Sequence, residues 1–322
     1  MSNPLLDFSG LPRFAEIKNE HITPAIEALL NENRMVIEKV RAGQDMPTWQ
    51  NFVQPMVDAS ERLSRAWGQV SHLNAVMNSP QLREIYNANL PLITQFYAEL
   101  SQDLLLFEKF KQLRASAEFG HLNPARKKII DNELRDFRLG GAELPSDKKQ
   151  RFLQIQEALS GLSSKFNDNL LDATNAYSLL IEDEKALSGI PADVLQTAKE
   201  LAEEDSKTGW KFTLHMPAYL PVLQYADNRD LREQMYRAYA TRASEFDSQT
   251  GAERDNMPLI NKILDLRQEA AQMLGYENYA HMVNADQMAG TPEKAMEIVK
   301  NYYESTVSLM NALNASPPKE EC

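Results

Sequence analysis

Apolar residues recur every three or four positions along most of the chain, which is the spacing of amphipathic α-helices. Ser79 and Pro80 form a helix-start signal, a serine cap followed by proline at the first helical position. Pro91 lies inside the apolar stripe that follows, so we expect the helix to be kinked or divided there. The stripe predicts a single helix face that carries Ile93, Phe96, Tyr97, Leu100, Leu104 and Phe107.

A second long stripe predicts a helix that starts at Ser146. The spacing changes between residues 176 and 216, where apolar and polar side chains alternate. Tyr177 to Ile181 and Trp210 to Met216 each show this period of two, which predicts two strands with one buried face. Residues 191–204, between them, have a helical pattern. The apolar positions of the stripe after Ser146 are Phe152, Ile155, Leu159, Leu162, Phe166 and Leu170.

Helical spacing then resumes and continues almost to the end of the chain. Asn228 and Asn256 are each placed to cap a helix, and Gly275 is placed to end the second of these. Thr291-Pro292 opens a last helix, while Pro317-Pro318 prevents residues 314–322 from continuing it. The apolar positions of this last helix are Met296, Val299, Tyr303, Thr306, Met310 and Leu313.

The predicted fold class is therefore mostly α, with a small β element around residues 176–216. The 322 residues include only 12 glycines, which also favours helices over an all-β fold. We expect four regions: a helical N-terminal region at 1–145, a long helix with the small β/α insertion at 146–220, a helical region at 221–313 and an irregular tail at 314–322.

The charge balance excludes some partners. The formal net charge is −12, a sign that repels phosphate backbones and anionic lipid, so we expect neither nucleic acid nor membrane as a partner. The basic triplet Arg126-Lys127-Lys128 lies near acidic residues, and we interpret it as a solvated helix face. The first residues lack a signal-peptide pattern, and no apolar run approaches the roughly 18 residues that span a bilayer. We expect a cytoplasmic protein.

The five histidines do not form a recognisable metal motif. Two histidines four positions apart on a helix can share a zinc ion, as in His-Glu-x-x-His. Here His21, His72, His121, His215 and His281 are more than forty positions apart, and none precedes a glutamate. The nearest local pair is Glu277 with His281, which we interpret as a surface carboxylate–imidazole contact. We expect no metal ligands and no catalytic residues in this chain.

Other catalytic patterns are weaker still. Ser146 and Lys149 match Ser-x-x-Lys, but the companion motifs of those hydrolases are missing, and a helix-capping serine explains the match better. Cys322 is the single cysteine and stands at the last position, a poor setting for a nucleophile. Acidic pairs such as Asp131 with Glu133 are common on helices and imply no acid–base role without a pocket.

A tyrosine- and arginine-rich segment leaves two interpretations open. Its side chains could line a groove for an extended peptide, because tyrosine offers stacking surface and arginine can bind a C-terminal carboxylate. Alternatively the tyrosines are half-buried where elements meet and the arginines are solvated, which we favour. We name this set the Tyr–Arg cluster, and it consists of Tyr219, Tyr225, Tyr236, Tyr239, Arg232, Arg237 and Arg242.

Several segments, in the same order along the chain, resemble bacterial members of the thimet-oligopeptidase family of zinc peptidases. The segments that match best lie between Leu220 and Ala280, and the region after about Glu297 is less similar. Together the matching segments reach from position 3 to about 290. They are Asn3–Leu6, His21–Ile26, Val70–Val76, Asn78–Arg83, Lys127–Asn132, Leu134–Phe137, Leu171–Thr174, Leu220–Leu223, Leu231–Tyr239, Thr241–Ser244 and Leu274–Ala280.

The resemblance implies an elongated, mostly helical body with a channel that admits short unstructured peptides. It also implies that the zinc-binding His-Glu-x-x-His helix and the other catalytic residues belong to a part of the family's sequence that this chain does not contain. We therefore expect the N-terminal, channel-forming part of a zinc endopeptidase, inactive alone, with zinc bound only by the full-length family. The alternatives are a non-catalytic helical module that binds peptide or complements a separate C-terminal-half chain, and a fragment without a role.

Overall fold

The computed structural model describes residues 3–247 and 251–315, and most of these residues are helical. The prediction of a mostly α fold with a small β element is confirmed. The thirteen α-helices within the described ranges are α1 (Asn19–Ala42), α2 (Gln54–Val76), α3 (Pro80–Ser101), α4 (Leu104–Ala115), α5 (Ala117–His121), α6 (Pro124–Leu139), α7 (Ser146–Ala176), α8 (Ala192–Glu204), α9 (Met216–Tyr225), α10 (Arg229–Ala240), α11 (Met257–Met273), α12 (Tyr279–Asn284) and α13 (Pro292–Ala315).

The β element is smaller than the alternation suggested. Strands β1 (Leu179–Ile181) and β2 (Trp210–Phe212) pair antiparallel, with Leu179 opposite Phe212. The expected second strand up to Met216 is therefore too long, since Met216 begins α9 and is half exposed. Leu214 is buried without belonging to a strand. Alternating burial continued past the last paired residue, which is why the pattern overestimated the strand.

The stripe after Ser79 belongs to two helices, so the prediction of one face is wrong. Pro91 does not divide its helix, because α3 runs through it without interruption. The chain breaks instead at Asp103, whose carboxylate accepts hydrogen bonds from the N–H groups of Leu105 and Leu106 and so caps α4. Leu104 is half exposed in consequence. A capping carboxylate ended the helical run that the apolar spacing appeared to continue.

The chain forms two compact units. The first contains residues up to Ser160 together with those from Leu266 onward, and the second is Gly161–Asp265. In the first unit α1 packs against α2 and α3, and α4 packs against α6. One of its apolar clusters is rich in phenylalanine, with the rings of Phe52 and Phe110 only 4.7 Å apart between centroids.

The second unit has its own core and a buried polar pair. Its apolar cluster joins both strands to α8, α9 and α10. Helix α11 begins directly after Asn256, as predicted, but the side chain of Asn256 does not turn to the helix end. Its Oδ1 accepts from Asn169 Nδ2 at 2.9 Å, and its Nδ2 donates to the carbonyl of Phe166 at 3.1 Å. Both asparagines are 4% exposed.

Other helix ends agree with the sequence signals. Ser79 accepts from Leu82 N, and Asn228 accepts from the N–H groups of Asp230 and Leu231. Gly275 follows α11 with a φ of +85°, the left-handed conformation that glycine adopts most easily at a helix C-terminus. These caps fix where α3, α10 and α11 begin or end. The predicted irregular tail began at Asn314, but α13 continues through Asn314 and Ala315. Residues 316–322, which include Cys322, lie outside the described residues.

Helix α13 differs from the other long helices, because none of its residues is buried. The stripe that predicted an amphipathic helix is present, but none of its side chains is buried by the other described residues. Its large apolar side chains keep between 56% and 76% of their surface exposed. We name them the α13 face, and they are Met296, Ile298, Val299, Tyr302, Tyr303, Leu309, Met310 and Leu313.

Candidate functional site

The histidines of α1 and α2 are engaged in local contacts. The Nδ1 atom of His21 accepts a hydrogen bond from Lys18 N at 3.1 Å, beside the start of α1. His72 packs its ring against Phe14, with 5.3 Å between ring centroids. Each imidazole therefore contacts the chain segment that precedes α1.

Glu277 and His281 are the nearest local pair of candidate ligands. The sequence predicted a surface contact between them, and this prediction is wrong. Glu277 precedes α12, which begins at Tyr279, so the two residues are not on one helical turn. The His281 ring nitrogens lie 3.0 Å from Asn278 Oδ1 and 3.1 Å from Glu293 Oε1. Hydrogen bonds, chiefly from its own backbone, lower the pKa of Glu293, and His281 adds a smaller effect.

The described residues do not fit a catalytic zinc ion. Such a site uses three protein ligands and leaves one position open. Within residues 3–247 and 251–315, no three His, Cys, Asp or Glu side chains are grouped so that they could hold a metal ion. His121 ends the short helix α5 and His215 directly precedes α9, so neither lies on a helix that also carries a second histidine. No reaction step through zinc can be built from these side chains.

The Ser-x-x-Lys match has a structural explanation. The predicted helix start is confirmed, because Ser146 is the first residue of α7. The carbonyl of Pro145, the residue before it, accepts from the N–H groups of Lys148 and Lys149. The ammonium group of Lys149 donates to the carbonyl of Gln102 at 3.0 Å, and the amide of Gln102 donates to the carbonyl of Lys149 at 3.3 Å. The lysine thus joins two segments of the first unit, and it is not available as the base of a serine hydrolase.

The Tyr–Arg cluster lies within the second unit, on α9, α10 and the turn after it. Tyr219 and Tyr239 stack with 4.1 Å between ring centroids, and the guanidinium of Arg242 lies 3.6 Å from the centroid of Tyr239. Burial is the main cause that raises the pKa of Tyr219. Tyr225 and Tyr236, in contrast, are more than half exposed. The stacked tyrosines therefore have a structural role, as the favoured interpretation expected.

The three arginines of the cluster all have partners inside the protein. Arg242 donates to the carbonyl of Tyr239 and to Thr174 Oγ1. Arg232 donates to the carbonyls of Ala226 and Asp227 and is partly buried, so it is not a solvated side chain. Arg237 pairs with Glu233 one turn away on the exposed side of α10. These contacts orient the guanidinium groups within the second unit, and a peptide carboxylate would have to use their remaining N–H groups.

Comparison with known proteins gives the class of the molecule. The model of the N-terminal domain of neurolysin and thimet oligopeptidase matches residues 26–149, and the model of peptidase family M3 matches residues 222–317. These two matches place the chain in the sequence family named peptidase family M3.

Similar proteins identify the family more closely. Oligopeptidase A of Haemophilus influenzae is 45% identical over 304 residues, which are 94% of this chain and 44% of that protein. Oligopeptidase A of Escherichia coli is 42% identical over 93% of this chain and 44% of its own. The probable cytosolic oligopeptidase A of Arabidopsis thaliana is 38% identical over 93% and 42%. The chain belongs to the oligopeptidase A and thimet oligopeptidase family, and it spans less than half the length of these relatives.

The membrane prediction can be compared with the described helices. None of them combines the length and the apolar character that crossing a bilayer requires. Sequence reasoning missed the exposure of the α13 face and a mostly apolar cavity in the first unit that has two glutamates in its wall. Apolar spacing predicted the stripe on α13, but spacing does not reveal whether a partner covers it.

Proposed function

We propose that this chain is the N-terminal, substrate-channel part of a zinc-dependent metalloendopeptidase that hydrolyses short peptides, and that it does not cleave peptides alone. The observation that carries the proposal is a family match along most of the chain combined with the lack of a His-Glu-x-x-His motif in the sequence. The chain corresponds to 44% of the bacterial oligopeptidases A. The zinc ion and the catalytic groups then belong to the part of the family's sequence that has no counterpart here.

The donor chemistry supports inactivity of the isolated chain. A catalytic zinc needs three protein ligands held at fixed positions, and the imidazoles of His21, His72 and His281 are each engaged with non-ligand neighbours or a single carboxylate. Short unstructured peptides are the proposed substrates of the complete enzyme. The Tyr–Arg cluster is not proposed as a carboxylate clamp, because its guanidinium groups already have internal partners.

Peptidase assays with purified chain test this proposal directly. The chain is loaded with Zn²⁺ and mixed with internally quenched peptides of several lengths, and the fluorescence rate is compared with that of buffer containing Zn²⁺. We expect no turnover above this background. A turnover that co-purifies with the chain and disappears when a chelator removes zinc would overturn the proposal.

A second candidate function is that of a non-catalytic module that complements a separate polypeptide. The α13 face favours it, because contiguous exposed apolar surface of this kind commonly marks an interface. The proposed occupant is a polypeptide equivalent to the part of the oligopeptidases A that this chain does not cover. Replacing Met296, Val299 and Tyr303 with glutamine removes three neighbouring anchors from the face. Each anchor contributes about 1–2 kcal/mol when buried, and the three together about 3–6 kcal/mol, so we expect binding to weaken by at least about 100-fold.

Binding is measured with the uncovered part of the Haemophilus influenzae relative, by titration calorimetry and by the shift of the unfolding temperature. The control triple variant carries glutamine at Lys294, Asn301 and Ser305, which lie on the opposite side of α13 by helical spacing. Unchanged binding by the first variant, or equal losses in both, would count against the α13 face. Self-association that the first variant alone abolishes would identify a second copy as the occupant.

A further inference from the structure

A cavity of about 380 Å³ lies inside the first unit, among α1, α2, α3, α4 and α6. Its volume is at the lower end of the range of small-molecule sites. Val53, Met56, Leu106, Phe110 and Phe137 contribute to a mostly apolar wall. Neither the family matches nor the proposed peptidase role assigns anything to this cavity.

The buried amide of Asn33 supplies a hydrogen-bond acceptor in the cavity wall. Asn33 is 4% exposed, and its Nδ2 donates to the carbonyls of Leu29 and Ala59 at 2.9 and 3.0 Å. Both bonds use the amide nitrogen. The Oδ1 atom has no hydrogen-bond partner among the described residues, so it remains available to a donor from a ligand.

Glu133 supplies a carboxylate to the same wall. It is partly buried on α6 and makes no ion pair or hydrogen bond with the described residues, whereas Asp131 on the same helix pairs with Arg114 at 2.6 Å. Burial, followed by the charge of Asp136, raises the pKa of Glu133. The nearby charge of Arg135 acts in the opposite direction but is the smallest of these effects. A largely desolvated carboxylate that forms no ion pair is costly, and a bound cation would reduce that cost.

The polar groups of the wall select the charge of the ligand. Besides Asn33 and Glu133 they come from Ser60, Ser64 and Glu61, and no lysine or arginine among the described residues lines the cavity. An anionic ligand would therefore meet carboxylates and no cation. A bare metal ion is equally unsuited, since the described residues provide no group of three His, Cys, Asp or Glu ligands.

We propose that this cavity binds a small organic amine, with its apolar body against the aliphatic and aromatic wall and its ammonium group served by Glu133 and Asn33. The ammonium donates hydrogen bonds to the two acceptors and compensates the carboxylate charge. The apolar body displaces water from the rest of the cavity. This inference does not depend on the peptidase proposal.

The test uses 4-phenylbutylamine as the probe and 4-phenyl-1-butanol as its neutral counterpart. Binding to the full chain at pH 7 is followed by titration calorimetry and by ligand-observed NMR. We expect saturable amine binding that Glu133→Gln weakens at least tenfold. Asp131→Asn removes a charge from the same helix outside the cavity, and it is expected to leave amine binding unchanged. The alcohol is expected to bind the wild type and Glu133→Gln equally.

A second variant keeps the test independent of any folding defect. Ser60→Leu adds an apolar side chain at a partly exposed position of the wall, and it is expected to reduce binding of both probes by occupying the cavity. Circular dichroism establishes that each variant is folded. No saturable binding up to millimolar amine, equal amine binding by the wild type and Glu133→Gln, or equal losses in Glu133→Gln and Asp131→Asn would overturn the proposal.

Discussion

The buried pair of Asn169 and Asn256 predicts a large stability loss from one small substitution. Asn256→Ala removes the acceptor of Asn169 Nδ2, and it removes the donor to the carbonyl of Phe166. An unsatisfied buried donor costs about 1–3 kcal/mol, and loss of the second bond adds about 1 kcal/mol. We therefore expect the free energy of unfolding to fall by about 2–4 kcal/mol.

A comparison with a true helix cap separates burial from capping. Asn228 accepts two backbone N–H groups at the start of α10, and Asn228→Ala is expected to cost about 1 kcal/mol. If Asn256 acted mainly as a cap, its replacement would cost about the same. The structure predicts a clearly larger loss, because the groups left behind by Asn256→Ala are excluded from water.

Urea denaturation measures these losses. Trp210 lies in the same unit as the pair and reports its unfolding by fluorescence once Trp49 and Trp67 are replaced with phenylalanine in all variants. The double variant Asn169→Ala, Asn256→Ala no longer contains the stranded donor, so its loss is expected to be smaller than the sum of the two single losses by at least about 1 kcal/mol. A loss below about 1 kcal/mol for Asn256→Ala, or additive losses, would refute this reasoning.

Three further substitutions test backbone conformation and charge burial. Gly189 has a φ of +86°, and a Cβ there would lie 2.1 Å from the carbonyl oxygen of Tyr225, so Gly189→Ala should destabilise the second unit by about 2–4 kcal/mol in urea. A Cβ at Gly161 in α7 would meet no other atom, so Gly161→Ala should instead stabilise the second unit by about 0.5–1 kcal/mol. Equal effects of the two substitutions would contradict the conclusion that only Gly189 requires a glycine. The raised pKa of Glu133 means that stability falls as pH rises from about 4.5, the ordinary pKa of the carboxyl, through the pKa of the folded state. Glu133→Gln should therefore match the wild type near pH 4 and exceed it at pH 7, by about 1.4 kcal/mol for every pH unit that separates the folded and unfolded pKa values, and a difference independent of pH would contradict this.

Much of the fold followed from local signals, and the errors have identifiable causes. Ser79, Asn228 and Gly275 marked helix ends correctly, since capping and left-handed turns depend on neighbouring residues alone. The break at Asp103 was also signalled by its residue type, but the apolar spacing on both sides concealed it. The alternation from Trp210 to Met216 suggested a strand longer than β2. Leu214 is buried but is not part of the paired strand, because burial and strand pairing are separate properties.

The candidate sites were less accessible to sequence reasoning. Asn228 and Asn256 both looked like helix caps in the sequence. Only contacts with residues distant in the sequence, such as Asn169, show that the side chain of Asn256 forms a buried polar pair instead. The cavity beside Glu133 is built from five helices. The acidic pair in the sequence gave no sign that Asp131 forms an ion pair in the described structure while Glu133 does not. Resemblance to a family supplied the expectation of peptide hydrolysis, which the spacing of the histidines alone did not.

The bare surface of α13 has a consequence for how tightly any protein can attach to it. A helix without buried residues is held mainly by its own backbone hydrogen bonds. Side-chain pairs add weak support, such as Lys300 with Glu304 in α13, whose Nζ and Oε1 atoms are 3.9 Å apart. A protein that covers this helix must therefore also suppress fraying, and its measured affinity includes that cost. Substitutions that change only helix propensity on the solvent side should then alter the strength of association without touching the contact.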